Sequence, residues 1–204
     1  MAKVVLFHSV LGLSPGVISA AERLRAAGHT IHTPDFFDGE VFDDLQEGMR
    51  KEEALGFQEI VRRARDSVSG LPAGLVFCGF SLGAVHAEAL AASRPGALGA
   101  VLMAGAVPME ALEEYFGVEH WPDGVAVQVH YAADDPWVEA GEEIVPLGEA
   151  VRGARAAFDA HSYPGSGHLF FEPGLPEYDR ATSEEMWERV LAFLDRIDAR
   201  GSGV

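Results

Sequence analysis

The chain has 204 residues, 48% of them hydrophobic, and a formal net charge of −17 at pH 7 from 32 acidic and 15 basic residues. This length favours one domain, so we predict a single domain over residues 1–204. The acidic charge disfavours nucleic acid and anionic membranes as partners, and the lone Cys78 excludes an intrachain disulfide.

Short apolar runs alternate with helix-like segments from the start of the chain. Val4 to Phe7 form a continuous apolar run, which is typical of a strand covered on both faces. Ser14 and Pro15 fit an N-cap and a first-turn proline, and Gly28 ends this predicted helix. The sequence further predicts strands at 30–33, 75–78, 100–104, 125–131 and 155–161, and helices at 50–68, 82–93, 139–152 and from a capping box at 182–185. The alternation predicts an α/β fold with a mostly parallel sheet and helices on both faces.

The segment 79–83, Gly-Phe-Ser-Leu-Gly, has the form of a nucleophile elbow. It follows a predicted buried strand and precedes a helix, which is the context that this motif requires. The turn is so tight that side chains two residues before and after the nucleophile would collide with their surroundings, and Gly79 and Gly83 remove them. The turn lifts the Ser81 hydroxyl clear of the sheet and aims the backbone N–H of Leu82 at the reacting oxygen. We therefore predict Ser81 as the nucleophile, with a positive φ.

Candidate partners for this serine follow later in the chain. A serine hydroxyl needs a base to take its proton, and after such an elbow the acid and the histidine follow in that order. Asp134 and Asp135 both follow the fifth predicted strand, where the acid is expected. His168 follows a glycine-rich turn after the sixth predicted strand. The residues alone thus predict a triad of Ser81, His168 and one of two aspartates.

Other chemistry-bearing side chains have structural interpretations. His86 lies in the predicted helix after the nucleophile, where a packing role is favoured. His29 and His32 lie near Asp35 but flank a short strand, so we expect no metal site and no cofactor. Cys78 lies inside a predicted strand and is interpreted as a small core residue.

Four segments resemble the dienelactone hydrolase family of α/β-hydrolases, and the resemblance covers nearly the whole chain. They are the first-strand loop 8–13, the Pro-Asp segment 33–39, the acid loop 130–138 and the histidine loop 163–170. The resemblance implies the α/β-hydrolase fold and assigns the catalytic acid to Asp135. It also implies an oxyanion hole made by the backbone N–H groups of Val10 and Leu82.

The chain departs from the family at three positions. Ser81 stands where members that hydrolyse dienelactone carry a cysteine nucleophile. Ser9 aligns with the glutamate that guards that cysteine, and Glu172 aligns with an arginine that binds the substrate carboxylate. These departures argue against dienelactone as the substrate.

The loops expected around the active site are rich in aromatic residues. No long insertion follows the predicted strand at 100–104, so we expect no large cap domain, and the segment 108–123 is the candidate cover. The aromatic residues expected near the pocket are Phe36, Phe37, Tyr115, Trp121, Trp137 and Phe170. The predicted pocket residues are Phe36, Phe37, Trp137, Phe170 and Glu172. A glutamate at the pocket predicts a preference for small neutral esters over substrates that carry a carboxylate.

The leading interpretation is a serine hydrolase that cleaves a small ester, lactone or thioester through an acyl-enzyme. An amidase or peptidase with the same triad and a non-catalytic binding member of the fold are the alternatives. A dinucleotide-binding protein is disfavoured because 79–83 lacks the G-x-G-x-x-G spacing. The sequence shows no signal-peptide pattern and no apolar run of about 18 residues. We therefore expect a cytoplasmic monomer or small homo-oligomer that binds a small molecule but no nucleic acid and no membrane.

Overall fold

The computed structural model describes residues 1–201, with side chains described through residue 199, so the last three residues of the predicted domain lie outside it. The strands are β1 (Lys3–Phe7), β2 (Thr30–His32), β3 (Leu75–Phe80), β4 (Gly99–Met103), β5 (Ala126–Ala132) and β6 (Phe158–Tyr163). The helices are α1 (Pro15–Ala26), α2 (Leu45–Leu55), α3 (Phe57–Ser69), α4 (Leu82–Ser93), α5 (Met109–Phe116), α6 (Ile144–Gly153) and α7 (Arg180–Gly201). Within these residues the strands form one sheet in the order β2-β1-β3-β4-β5-β6, and every neighbouring pair is parallel.

The central strands β1, β3, β4 and β5 are buried on both faces, which explains their continuous apolar runs. Along β1, Val4 and Leu6 belong to the core cluster that includes α1 and α7. Val5 and Phe7 point to the opposite cluster, which includes residues of α3, α4 and α6. Successive residues of the strand thus pack into two separate cores on opposite faces of the sheet. The predicted α/β-hydrolase fold with helices on both faces is confirmed.

The order of the strands places the candidate residues at one edge of the sheet. Chain order reverses at β1, which lies between β2 and β3, and Phe7 at the end of β1 pairs with Gly79 near the end of β3. Parallel strands end at the same edge, and ligands bind where the strand order reverses. The loops after β1, β3, β5 and β6 therefore meet at this edge.

Three predicted helix boundaries were wrong, and one of them is the start of the helix predicted at 139–152, which begins at Ile144. The helix predicted at 50–68 is two helices, α2 and α3, separated by Gly56 at φ 81°. Glycine tolerates this left-handed conformation, so the chain changes direction there. The last helix begins at Arg180 and not at the capping box, because the Asp179 side chain accepts the Thr182 N–H at 2.7 Å and caps the helix.

The cover of the active-site edge also differs from the prediction. Helix α2 contributes Leu45, Met49 and Glu52 to the wall of the pocket beside Ser81, whereas 108–123 contributes no lining residue. Leu112 of α5 is buried in the core instead. None of the helices described within residues 1–201 combines the length and apolar character needed to cross a membrane.

Candidate active site

The elbow at Ser81 has the strained geometry that the motif requires. Ser81 adopts φ 50°, and its N–H donates to the carbonyl of Met103 at 2.7 Å. A Cβ at Gly79 would lie 2.0 Å from the Gly83 carbonyl oxygen, and a Cβ at Gly83 would lie 2.5 Å from the Phe7 carbonyl oxygen. Both distances are far shorter than a van der Waals contact. Because the clashing atoms belong to the backbone, no side-chain movement could remove the clash, and each position requires glycine.

Two hydrogen bonds join the serine, the histidine and one aspartate. Nε2 of His168 lies 2.8 Å from Oγ of Ser81, and Nδ1 lies 2.8 Å from Oδ2 of Asp135. Because an ionised carboxylate only accepts, Nδ1 carries the proton and Nε2 accepts from the serine hydroxyl. The other Asp135 oxygen accepts the Trp137 N–H at 2.9 Å, whereas Asp134 is exposed. The structure thus brings Asp135, and not Asp134, against the imidazole.

The two backbone N–H groups predicted as oxyanion donors lie in the pocket wall beside the serine. Val10 and Leu82 both line the pocket, and within residues 1–201 neither amide N–H has a protein acceptor. The neighbouring turn uses its other polar groups internally, since Ser9 Oγ accepts the Leu11 N–H at 3.2 Å. Helix α2 closes against the loop through Gly48, where a Cβ would lie 2.1 Å from the Val10 carbonyl oxygen. The arrangement leaves two donors available for a developing oxyanion.

A buried histidine joins the Val10 loop to the segment after β2. Nδ1 of His8 donates to the Ser9 carbonyl at 2.6 Å, and Nε2 accepts the Phe36 N–H at 2.8 Å. The two contacts require a neutral ring with the proton on Nδ1. His8 therefore holds the loop that carries the Val10 N–H.

The pocket beside Ser81 has a volume of about 300 Å³. Apolar side chains make most of its wall, and Trp137 lies at its edge with its side chain 50% exposed. Two carboxylates, Glu52 and Glu143, also line it. Burial raises the pKa of both groups. No lysine or arginine lines the described pocket. Apart from His168, the ionisable side chains in its wall are therefore the two carboxylates.

Several residues predicted for the pocket lie elsewhere. Phe36 and Phe37 are fully buried core residues. Their rings pack against Phe7, His8 and His86, and the Phe36 N–H donates to His8. Phe170 borders a neighbouring groove on the other side of His168. Of the wider aromatic set, Trp121 is buried and Tyr115 packs on Phe57, outside the pocket. Trp137 is the predicted aromatic residue that lines the pocket.

Glu172 also lies outside the pocket. It is buried, with its carboxylate hydrogen-bonded to the Ser14 hydroxyl at the start of α1, and its Oε2 has no hydrogen-bond partner among the side chains and backbone that the structure describes. Burial raises the pKa of this carboxyl. Its side chain fills the space beside Gly16, where a Cβ would lie 2.0 Å from its Cγ. Glu172 therefore joins the histidine loop to α1 and puts no charge on the pocket wall.

Sequence reasoning missed three glutamates near the site. Glu52 and Glu143 lie on predicted helices, and no pattern showed which way they face. Glu88 could have been noticed in the sequence, because it is a charged residue within the alanine-rich predicted helix 82–93. It is fully buried, its Oε2 accepts the Val107 N–H at 2.9 Å, and desolvation raises its pKa well above the usual range. Glu88 thus holds the loop that forms one wall of the pocket.

The remaining histidines and the cysteine occupy structural positions. His86 is buried among Phe36, Phe57 and Phe116, and desolvation lowers its pKa to about 4. His29 accepts the Ala2 N–H. Cys78 is buried inside β3. Within residues 1–201, no three histidine, cysteine or acidic side chains cluster as metal ligands would.

Comparisons with known proteins agree with this architecture. The model of the dienelactone hydrolase family matches residues 1–198. A Saccharolobus solfataricus protein named as a carboxymethylenebutenolidase is 34% identical over 67 residues, which are 33% of this chain and 25% of that protein. The match therefore spans only about a quarter of the length of this curated relative.

Solved structures share the fold at low sequence identity. A dienelactone hydrolase-like promiscuous phosphotriesterase from metagenomic libraries superposes with a TM-score of 0.76 and 21% identity, over 97% of this chain and 87% of that one. An α/β-hydrolase enzyme from a Medee basin deep-sea metagenome library superposes with a TM-score of 0.68 and 17% identity, over 96% of this chain and 84% of that one.

Proposed function

Because the chain belongs to the dienelactone hydrolase family, we propose that it is a serine hydrolase that cleaves a small ester, lactone or thioester. The observation that carries the proposal is the unbroken series of hydrogen bonds from Ser81 through His168 to Asp135, each 2.8 Å long. A serine on a strained elbow, a base in contact with it and an acid orienting the base are the parts of nucleophilic catalysis.

The first half-reaction forms an acyl-enzyme. Oγ of Ser81 bonds to the substrate carbonyl carbon while its proton passes to Nε2 of His168. Asp135 stabilises the resulting imidazolium, and the Val10 and Leu82 N–H groups donate to the oxyanion. The tetrahedral intermediate then breaks its bond to the leaving alcohol or thiol, which takes the proton from Nε2.

The second half-reaction restores the enzyme. A water molecule gives one proton to Nε2 of His168 and bonds to the acyl carbon. The bond to Oγ of Ser81 then breaks, the serine oxygen recovers the proton from the imidazolium, and the carboxylic acid leaves. The pocket of about 300 Å³ supports a small substrate, since ligand pockets begin at about this volume.

A fluorophosphonate probe tests the nucleophile directly, because activated serines displace its fluoride and keep the phosphorus group. We expect the wild-type chain to be labelled and Ser81→Ala to remain unlabelled. Ser162→Ala, at an exposed serine on β6, and Cys78→Ala are the matched controls and should label at the wild-type rate. Equal labelling of Ser81→Ala and wild type would refute the assignment.

A further inference from the structure

The two pocket carboxylates lack cationic partners within the described residues. Glu52 lies on α2 and Glu143 directly precedes α6; both are half-buried, and neither forms an ion pair. The nearby bases of α2 are engaged elsewhere, Lys51 with Glu40 and Arg50 with Glu47. Half-buried carboxylates without a counter-charge carry a desolvation cost that no ion pair offsets.

The charges around Glu143 increase this negative potential. Burial raises the pKa of Glu143, a hydrogen bond from the Glu139 backbone lowers it in part, and the neighbouring charges that act on it are the carboxylates of Glu139, Asp135 and Glu142. For Glu52, burial is the cause of the raised pKa. A cation in the pocket would therefore meet attraction from several sides in a partly desolvated space.

Trp137 supplies a second, independent feature that suits a cation. Its indole is 50% exposed, lines the same pocket, and has its ring centroid 6.4 Å from that of His168. The face of an indole attracts ammonium groups within about 6 Å, and tryptophan is the best aromatic residue for this contact. An aromatic face beside carboxylates that form no ion pair is an arrangement that can bind an alkylammonium group.

We infer that this pocket selects esters that carry an ammonium group, which Glu52, Glu143 and Trp137 bind while Ser81 attacks the ester carbonyl. The inference rests on the proposed hydrolase function. Such a substrate is positively charged, whereas a dienelactone that carries a carboxylate is negatively charged. Electrostatic attraction and the indole contact together should favour the cationic substrate about threefold to tenfold over a neutral one of the same shape.

Acetylcholine and 3,3-dimethylbutyl acetate form a matched pair, since they differ in a quaternary nitrogen against a quaternary carbon. The measurement is the ratio of their kcat/KM values for wild type and variants. We expect acetylcholine to be favoured about threefold to tenfold by wild type. The ratio should fall toward one in Glu52→Gln/Glu143→Gln and decrease in Trp137→Leu. Glu53→Gln and Glu149→Gln remove the same charge from exposed positions on α2 and α6 outside the pocket wall and should keep the wild-type ratio.

Binding of the same two esters to Ser81→Ala, with and without Glu52→Gln/Glu143→Gln, measured by calorimetric titration, separates the two proposals. Tighter binding of acetylcholine that is lost in the double glutamine variant supports the charge inference, even if neither ester is hydrolysed. Absence of hydrolysis of every ester would overturn the proposed function alone. A chain that hydrolyses both esters but binds and turns over acetylcholine no better than its neutral isostere would overturn the charge inference alone.

Discussion

Nε2 of His168 lies 2.8 Å from Oγ of Ser81, although 87 residues separate them in the chain. The contact exists because β3 and β6 are parallel strands of one sheet, so that the loops following them open at the same edge. Asp135, from the loop after β5, completes the series from the opposite side of the imidazole.

Ser81→Ala and His168→Ala should each lower kcat on a short-chain aryl ester by several orders of magnitude, and the double variant should be little worse, because the residues act as a unit. Asp135→Asn should also be severe, since it favours the wrong imidazole tautomer. Asp134→Asn makes the same change one residue earlier, at an exposed side chain, and is the matched control. Steady-state kinetics in which Asp134→Asn is the damaged variant would identify the wrong acid.

Gly48→Ala should reduce kcat about tenfold or more, because the added Cβ would lie 2.1 Å from the Val10 carbonyl and displace the amide proposed as an oxyanion donor. Gly153→Ala, where an added Cβ meets nothing within 4 Å, serves as the control helix variant. Thermal unfolding of both variants distinguishes a displaced loop from a loss of folded protein. Wild-type kcat in folded Gly48→Ala would exclude the proposed role of this loop.

The free energy of unfolding should fall as pH decreases from 6.5 toward 4, and His86 should account for part of the loss. Desolvation lowers its folded pKa to about 4, so over this window the unfolded chain binds a proton that the folded chain does not. The linkage amounts to about 2 kcal/mol between pH 7.5 and pH 5.

Urea unfolding at pH 7.5 and pH 5 measures this effect. His86→Leu should shrink the difference between the two pH values without abolishing it, because desolvation also lowers the pKa of His130. His120→Gln, at an exposed histidine, should retain the wild-type difference. An unchanged pH dependence in His86→Leu would contradict the buried neutral state of this histidine.

Neutral aryl esters should be hydrolysed with a higher kcat/KM than a dienelactone that carries a carboxylate, by about fivefold to tenfold at low salt. The sequence attributed this preference to Glu172, but the structure buries that residue against Ser14 and puts Glu52 and Glu143 on the pocket wall. Glu172→Gln should therefore keep the preference, and Glu52→Gln/Glu143→Gln should weaken it. A wild-type enzyme that prefers the acidic lactone at both low and physiological salt would disprove this.

Local chemistry made the fold and the elbow predictable from the sequence. Continuous apolar runs such as Val4 to Phe7 indicate strands buried on both faces, and Gly79 and Gly83 mark a turn that admits no side chain. Boundaries were less predictable where one residue decides the geometry. Gly56 splits a helix whose apolar pattern continues across it, and Asp179 replaces the predicted cap of α7.

Chain order and the resemblance to a family of hydrolases identified the three residues that the structure joins, but of the five predicted pocket residues only Trp137 lines the described pocket. Phe36 and Phe37 were predicted for the pocket because they lie in loops near the site, and Glu172 because it aligns with an arginine of the family, yet each is buried. Glu52 lies on α2 and Glu143 directly precedes α6, and the tertiary structure brings these distant segments together at the pocket. Packing between distant segments decides which way a side chain of a helix or loop points. Local periodicity in the sequence does not predict that packing.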